Sequence, residues 1–428
     1  MSFPNISLFP DKTEISSKGN LLLGECDAVD LVAEYGTPLY VLDEFTLREK
    51  CREFVSTFKE FHSNSSVVYA SKAFINLSLA KLFNEEGLGL DVVSGGELAV
   101  AQKAEFPANK IYFHGNNKSV AELEQSLDYG IGRVVIDNFH EIDLLNDIAF
   151  RRNIVQDVLL RVSPGIDPHT HVYTTTGVLD SKFGFSIETG QALEAIRKAD
   201  NLKGIRIVGL HFHLGSPIFE LEPYTKAMEV VLDFAAESGL DISEISPGGG
   251  FAIAYTRDQV PPSVKDYAEA ITSVLKKRDD LHLIVEPGRS IIGRAGVALY
   301  SIGSSKNIPG IRKYVSVDGG MGDNIRPALY QAEYEAVIAN KLNNENLEKV
   351  SIAGKFCESG DVLLRDINFP SLDAGDILAI PAAGAYAPAM ASNYNMVPRP
   401  MVIMVNKGAS RVIRRRETYE DMMMYDLL

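Results

Sequence analysis

From Val67 onward the chain alternates two hydrophobic patterns. Short apolar runs, "VVYA" (67–70), "LGLDVV" (88–93), "KIYFH" (110–114), "RVVID" (133–137), "VLLRVS" (158–163), "IVGLHFH" (207–213), "ISEIS" (242–246) and "LHLIVE" (281–286), read as strands. Between them, "GGELAVAQKA", "SVAELEQSLDYG", "NFHEIDLLNDIAF" and "PYTKAMEVVLDFAAESG" place apolar residues three or four apart, the spacing of a helix with one buried face. Strand and helix alternating eight times predict an α/β fold with a TIM-type (β/α)8 barrel over 39–292. After Ile292 the pattern becomes strands punctuated by Gly and Pro, among them "GVALYSIG", "KYVSVDGG", "EYEAVIA", "KVSIAG", "DILAIPAAGAY", "PMVIMVN" and "SRVIRR". These predict a second, mostly β domain of sandwich or barrel type over 293–428. Residues 1–38, with "EISSKGNLLLGE", do not fit the barrel and are expected to add a strand to that β domain. The longest gap, from Ser163 to Ile207, holds "DPHTHVYTTTGVLDSKFGF", a polar loop expected to shape a ligand site.

Composition narrows the class. The 428 residues are 46% hydrophobic and 23% charged, which is globular and too long for one ordinary core. The excess of 57 acidic over 42 basic residues gives a formal charge of −15, which repels nucleic-acid phosphates and anionic lipid, so neither is expected as a partner. The one dense basic cluster, "RVIRRRE" at Arg411–Glu417, reads as a solvated face. Cys26, Cys51 and Cys357 are too few and too scattered for a disulfide framework or a four-ligand zinc site, so no metal is expected and a reducing compartment fits. With no apolar run near ~20 residues and no basic-then-apolar amino terminus, a cytoplasmic, unprocessed protein is expected.

The barrel frame gives certain residues a common address. Lys72 follows strand one in "VVYASKA", "HFHLGS" ends strand six, "SPGGGF" ends strand seven and "EPGRS" ends strand eight. All fall at the carboxyl rim, where parallel barrels bind ligands. Lys72 is there either a wet loop charge or a reactive amine. Gly248, Gly249 and Gly250 form either a tight turn or a loop whose N–H groups approach a phosphate, and Arg289 can add a cationic fork to a phosphate or carboxylate. Glu286 ends an apolar run, so its buried carboxylate needs a partner: Arg289, or a protonated heterocyclic nitrogen. His213 shares a face with His211 and is either a core histidine or a flat ring able to stack on a planar cofactor. Together, an amine, a phosphate cradle, a carboxylate for a ring nitrogen and a stacking ring are the supports that pyridoxal 5'-phosphate requires.

"VVYASKA", "LDVVSGGEL", "HFHLGS", "GGGF", "EPGR", "CESGD" and "GAYAPAMASNYN" occur in one order, and over Leu39–Arg416 the chain resembles the alanine-racemase-fold, pyridoxal-phosphate-dependent decarboxylases of basic amino acids. It is most similar to their diaminopimelate-decarboxylating branch, of which "DPHTHVYTTTGVLDSKFGF" is also typical. The resemblance implies that Lys72 is the Schiff-base lysine, His213 the stacking ring and Glu286 the partner of the pyridine nitrogen. It places Ser216, Gly249, Gly250, Pro287, Gly288, Arg289 and Tyr386 around the cofactor phosphate or the substrate. Pro217 stands where glutamine is common after "GS", and Ala252 where a glycine is usual.

The implied substrate is meso-2,6-diaminopimelate, whose far end carries both an ammonium and a carboxylate, whereas lysine and ornithine carry only the ammonium. Arg326 in "GDNIRPALY" matches the family arginine that grips the distal carboxylate, with Tyr330 beside it, and Glu358 matches the acid that receives the distal ammonium. Without the resemblance Arg326 would read as a surface-loop arginine and Cys357 as a small buried hydrophobe. The family role of Cys357 is proton donor. The family reaction is decarboxylation to L-lysine and carbon dioxide, the last step of bacterial-type lysine biosynthesis. In the family "CESGD" comes from the partner subunit, which implies a homodimer with shared sites. The rivals are a sibling decarboxylase acting on carboxynorspermidine, ornithine or lysine, a racemase on the same scaffold, and an inactive relative that only binds a partner. Glu286 argues against a racemase, whose ring-nitrogen partner is typically arginine.

Overall fold

The computed structural model describes residues 3–167, 181–276, 278–343 and 347–428; most of the loop expected to shape the ligand site, 168–180, lies outside them. The chain divides into two compact units. One comprises Lys50–Ala252 and Pro261–Ser290; the other comprises the residues up to Glu49, Ile253–Val260 and Ile291–Leu428.

The first unit is the eight-stranded parallel barrel. Its strands are Ser65–Ala70, Gly89–Val92, Ile111–Phe113, Arg133–Ile136, Gln156–Ser163, Ile205–His211, Glu244–Gly248 and His282–Val285. Each pairs in parallel with the next, and the eighth returns to the first through Leu283 beside Ser65, which closes the sheet and leaves no open edge. Val68, Tyr112, Val135, Leu159 and Ile284, one each from the first, third, fourth, fifth and eighth strands, pack into one buried cluster, so the barrel has a packed core rather than a pore. A two-residue strand, Phe185–Ser186, pairs with the fifth strand outside this ring.

After the first four strands the turns at the rim are short, and the helix that follows each of them has a side-chain cap on its first N–H groups. Asn76, Ser94, Ser119 and Asn138 accept from Leu79, Glu97, Glu122 and Glu141, contacts that contribute about 1 kcal/mol each. Beneath the turn after the third strand, the buried Lys118 ammonium donates to the Gly115 and Val135 carbonyls and to Glu141, at 2.7, 2.8 and 2.7 Å. Glu141 also accepts from the Asp137 N–H, so one ion pair joins the ends of the third and fourth strands.

The second unit is mostly β. Its main sheet runs Val362–Pro370, Leu347–Ala353, Arg312–Val317, Gly296–Ile308, Leu39–Asp43, Met401–Asn406 and Ala409–Arg414, with Ile377–Ile380 branching from the long fourth strand and Val337–Ile338 pairing in turn with Ile377–Ile380. Three expectations need correction. Residues 14–27 form their own small sheet, Glu14–Ile15, Leu21–Leu23 and Cys26–Asp27, and the strand added to the main β sheet is Leu39–Asp43. All five residues of that strand are buried, so its sequence has no alternation to distinguish a β-unit strand from a barrel strand. The strand Val362–Pro370 escaped notice because its outward residues include Arg365 and Asp366 within one short run. Finally, the basic cluster is only partly a solvated face. Arg411 and Arg415 are exposed, but Arg416 is half-buried and donates to the Tyr35 and Pro38 carbonyls, and Arg414 donates to that of Pro388.

Candidate active site

At the barrel rim the centre of the polar arrangement is Glu286, just past the eighth strand and 5% exposed. Its Oε2 lies 3.1 Å from His211 Nε2, at the end of the sixth strand, and its Oε1 accepts from Ser246 Oγ of the seventh at 2.8 Å. Glu286 therefore pairs with these two groups and not with Arg289. His114 Nε2 lies 3.5 Å from Glu286 Oε1 and 3.8 Å from Asp91 Oδ1, and its ring stands edge-on to His211 at 4.8 Å. Burial by itself would raise the Glu286 pKa, but the neighbouring histidines and the hydrogen bonds from His211 and Ser246 outweigh it and hold the group well below the usual carboxylate range. Burial, and then the Glu286 charge, push Asp91 well above that range, in the direction opposite to Glu286. Burial likewise pushes His114 well below its ordinary value. The rim thus holds the Glu286 carboxylate buried and in its charged form.

Beside it lies a place for an anion. The N–H groups of Gly249 and Gly250 donate to no acceptor among the described residues. A side chain at Gly249 would sit 2.1 Å from the Glu286 carbonyl, and Gly250, at φ +102°, would drive one to 2.4 Å from the Gly215 carbonyl, so both positions require glycine. The loop is fixed from below: Tyr224 donates to the Gly249 carbonyl at 2.7 Å, Tyr267 donates to the Ile218 carbonyl at 2.6 Å, and both rings pack around Phe251. Ile218 N–H donates to the Gly250 carbonyl, which ties the Ser216 loop to the glycine loop. Arg289, 7% exposed, donates through Nε to Ser216 Oγ at 3.2 Å. A phosphate fits this donor set of two N–H groups, a hydroxyl and a guanidinium. Both departures from the family pattern lie in these loops. Pro217 has no N–H to offer, and Ala252 is buried with its N–H donating to Tyr267.

The remaining rim residues take their expected addresses. Lys72 is exposed on the turn Ser71–Ala73, directly after the first strand, and its charge acts on Asp91 and His213. His213 follows the sixth strand, half-buried, against Gly248; burial and then the Lys72 charge push it well below its ordinary value. The Pro287 carbonyl accepts from the Ala70 N–H, and a side chain on Gly288 would sit 3.0 Å from the Ala70 methyl, so the "EPG" backbone passes close to the end of the first strand.

The second unit holds the other sequence-derived candidates. Arg326 is 6% exposed, which removes the surface-loop reading. Its guanidinium lies 4.4 Å from the Tyr255 ring and donates to the Tyr334 hydroxyl. The described residues include no acidic partner for it, and aromatic rings and hydroxyls stabilise its charge instead. Tyr330 closes the same short helix, Arg326–Tyr330, but the hydroxyl on Arg326 belongs to Tyr334. Cys357 and Glu358 are exposed, whereas Cys26 and Cys51 are buried. Their loop is held at its base by the buried Asp361, whose oxygens accept from Met321 and Phe356 N–H at 2.6 and 2.8 Å, and the Cys357 N–H donates to Asn395. Tyr386 precedes the helix Ala387–Met390 with φ +66°.

Sequence reasoning missed Asp91, His114 and Ser246 as site residues and used His211 only as a face marker. The signal was present: Ser246 and Gly248 are two apart on one strand, and Asp91 and His114 end strands whose carboxyl rim was already assigned. Tyr255 and Tyr334 carried no such signal.

The chain is similar to known proteins over nearly its whole length. Residues 45–293 match the family model described as "Pyridoxal-dependent decarboxylase, pyridoxal binding domain". The diaminopimelate decarboxylase of Bacillus subtilis (strain 168) is 47% identical over 419 residues, covering 96% of this chain and 95% of its own length. That of Bacillus methanolicus is 46% identical over 419 residues, covering 96% and 97%. The crystal structure of diaminopimelate decarboxylase from M. jannaschii in complex with L-lysine superposes with a TM-score of 0.92 at 36% identity, covering 98% of each chain. On this likeness over nearly its whole length, the chain belongs to the diaminopimelate decarboxylase family of pyridoxal-dependent enzymes.

Proposed function

We propose that the chain decarboxylates meso-2,6-diaminopimelate to L-lysine and carbon dioxide, using pyridoxal 5'-phosphate. The observation that carries this reading is the buried, ionised Glu286 beside an anion cradle, in a chain whose relatives bear that activity in their names. When bound, the cofactor supplies an aldehyde and a pyridinium ring that draws electrons from the breaking carbon–carbon bond.

The residues of this chain divide the remaining work. Lys72 offers the amine that takes the cofactor aldehyde and yields it to the substrate amine. Gly249, Gly250, Ser216, Arg289 and Tyr386 hold the phosphate, and Pro287 and Gly288 carry the backbone that presents Arg289. Glu286 keeps the proton on the pyridine nitrogen, and His213 covers the ring face. A buried guanidinium is costly unless an anion arrives, so Arg326, which has no acidic partner among the described residues and has Tyr330 on its helix, suits the distal carboxylate of the substrate. Arg289 and Tyr386 orient the reacting end, Glu358 takes the distal ammonium, and Cys357 returns a proton to the reacting carbon.

The two units divide along the same line: Lys50–Ala252 with Pro261–Ser290 as the cofactor-binding barrel, and the residues up to Glu49 with Ile253–Val260 and Ile291–Leu428 as the β domain supplying substrate and dimer-interface residues. Exposure of Cys357 and Glu358 in the single chain supports a homodimer in which each subunit lends this loop to its partner. The net charge of −15 speaks against nucleic-acid or anionic-membrane partners, and no helix among the described residues is long and apolar enough to cross a membrane; a cytoplasmic location fits the reading.

The test is a substrate panel. Purified protein with pyridoxal phosphate should release carbon dioxide and L-lysine from meso-diaminopimelate and turn over L-lysine and L-ornithine at least about 10³-fold less efficiently, because a shorter substrate leaves Arg326 unpaired. Equal turnover of the diamine precursors would favour the sibling decarboxylases.

A further inference from the structure

Three of the groups around Glu286 have no role in the reading above: His211, His114 and Asp91. We propose that His211 is a positioning residue for Glu286, its Nε2–H acting with the Ser246 hydroxyl to fix the carboxylate and keep its charge directed at the ring nitrogen of bound pyridoxal phosphate. This inference rests on the proposed function and assigns His211 a task separate from the stacking of His213.

The geometry separates His211 from its neighbours. A carboxylate only accepts hydrogen bonds, so the nitrogen facing Glu286 Oε2 at 3.1 Å must carry the proton, which fixes the His211 tautomer. His211 is 1% exposed, and its Nδ1 has no hydrogen-bond partner among the described residues, so nothing else competes for that orientation. His114 Nε2 approaches Oε1 only to 3.5 Å and makes no hydrogen bond among the described residues. Ser246 fills the remaining role: its hydroxyl donates to Oε1 while its oxygen accepts the Gly248 N–H at 3.1 Å, which couples the carboxylate to the first residue of the glycine loop.

The other groups bearing on Glu286 come from three strands. Asp91 on the second strand is pushed well above the usual carboxylate range by burial and then by the Glu286 charge, and the Lys72 charge acts on it in the opposite direction. Tyr112 and His114 lie on and just after the third strand, and Arg161 on the fifth. Tyr112, His114 and Arg161 are each buried, and none donates a hydrogen bond to the carboxylate among the described residues. Removing the His211 donor therefore leaves a buried charge with one hydroxyl donor.

The experiment measures the affinity of the apoprotein for pyridoxal phosphate by absorption of the bound cofactor across pH, for the wild type, His211→Phe, His211→Gln and Ser246→Ala. His211→Phe keeps a flat ring without the donor and should weaken cofactor affinity about 10- to 100-fold at neutral pH. It should also move the acid limb of the affinity profile to higher pH. His211→Gln, whose amide reaches the same point, should restore both to within about threefold, which a purely space-filling role would not do. Ser246→Ala should shift the limb in the same direction by less, and it keeps the test alive should the Phe variant fail to fold. In a Glu286→Gln background, His211→Phe should add less than about twofold. A folded His211→Phe protein with the wild-type acid limb, or a full additional loss in the Glu286→Gln background, would overturn the inference while leaving the proposed function intact. A wild-type protein that binds no pyridoxal phosphate would instead overturn the proposed function, and this inference with it.

Discussion

The barrel rim and the Cys357–Gly360 loop present their chemistry in opposite ways. At the rim the groups around the carboxylate and the glycine loop are held within the chain: Glu286 by His211 and Ser246, Arg289 by Ser216, the glycine loop by Tyr224. The loop is rigid only at its base, where Asp361 accepts two backbone N–H groups, while the Cys357 and Glu358 side chains face solvent. One region is complete as a single chain folds; the other is a well-supported projection whose working groups touch little of their own unit. A preorganised rim suits a cofactor that stays bound, and an exposed tip suits a group that works on something outside its own unit.

The largest expected effect separates the two. Lys72→Ala and Cys357→Ala should each lower kcat by on the order of 10³-fold. If the tip serves a partner copy, mixing the two inactive proteins under subunit exchange should recover part of the activity, because some mixed dimers hold one intact site. Absence of rescue, with exchange demonstrated by mass, would count against shared sites. Cys357→Ala should leave the melting temperature unchanged, as its side chain is exposed.

Next in size, the rim should be sensitive to buried charge. Lys118→Ala leaves Glu141 unpaired in the interior and should cost about 3–5 kcal/mol of unfolding free energy, measured by denaturant titration of the barrel signal. A loss below about 1 kcal/mol would show that the rim does not depend on this pair. Arg326→Met probes the recognition side and should reduce kcat/KM for diaminopimelate by about 10² with the cofactor absorption unchanged. A change in the cofactor spectrum instead would place Arg326 near the cofactor.

The smallest effect concerns pH, and the two regions should differ in sign. Glu286 has a depressed pKa, so its contribution to stability is present above the ordinary unfolded carboxylate range and is lost as pH falls. Near the base of the loop, burial pushes the Asp323 carboxyl up to about 7. Its folded state holds the proton more tightly than the unfolded chain does, so stability should fall as pH rises from about 4 to about 7 and then level off. Asp323→Asn keeps an acceptor for the Gly320 N–H and should flatten that slope and raise the melting temperature at pH 8. An unchanged slope would contradict the assignment.

How much of this could be read from the sequence depended on pattern. All eight barrel strands were legible because each is a short apolar run that alternates with an amphipathic helical stretch, and the rim addresses of Lys72, His213, Gly249 and Glu286 followed from counting strands. Leu39–Asp43 was not legible as a strand of the β unit, because a segment buried on both faces looks the same in either sheet. The cluster behind Glu286 was half legible: alternation put His211 inward, but no local signal says that Ser246 and His114 converge on one carboxylate from strands far apart in the chain. Tyr334 on Arg326 could not be read at all, since an eight-residue separation across a helix end has no fixed geometry.

The most direct test of the account is to add pyridoxal phosphate, reduce the complex with borohydride and locate the added mass by peptide mass spectrometry. The account predicts one phosphopyridoxyl group per chain, on Lys72. A modification on another lysine, or none on a folded protein, would contradict it.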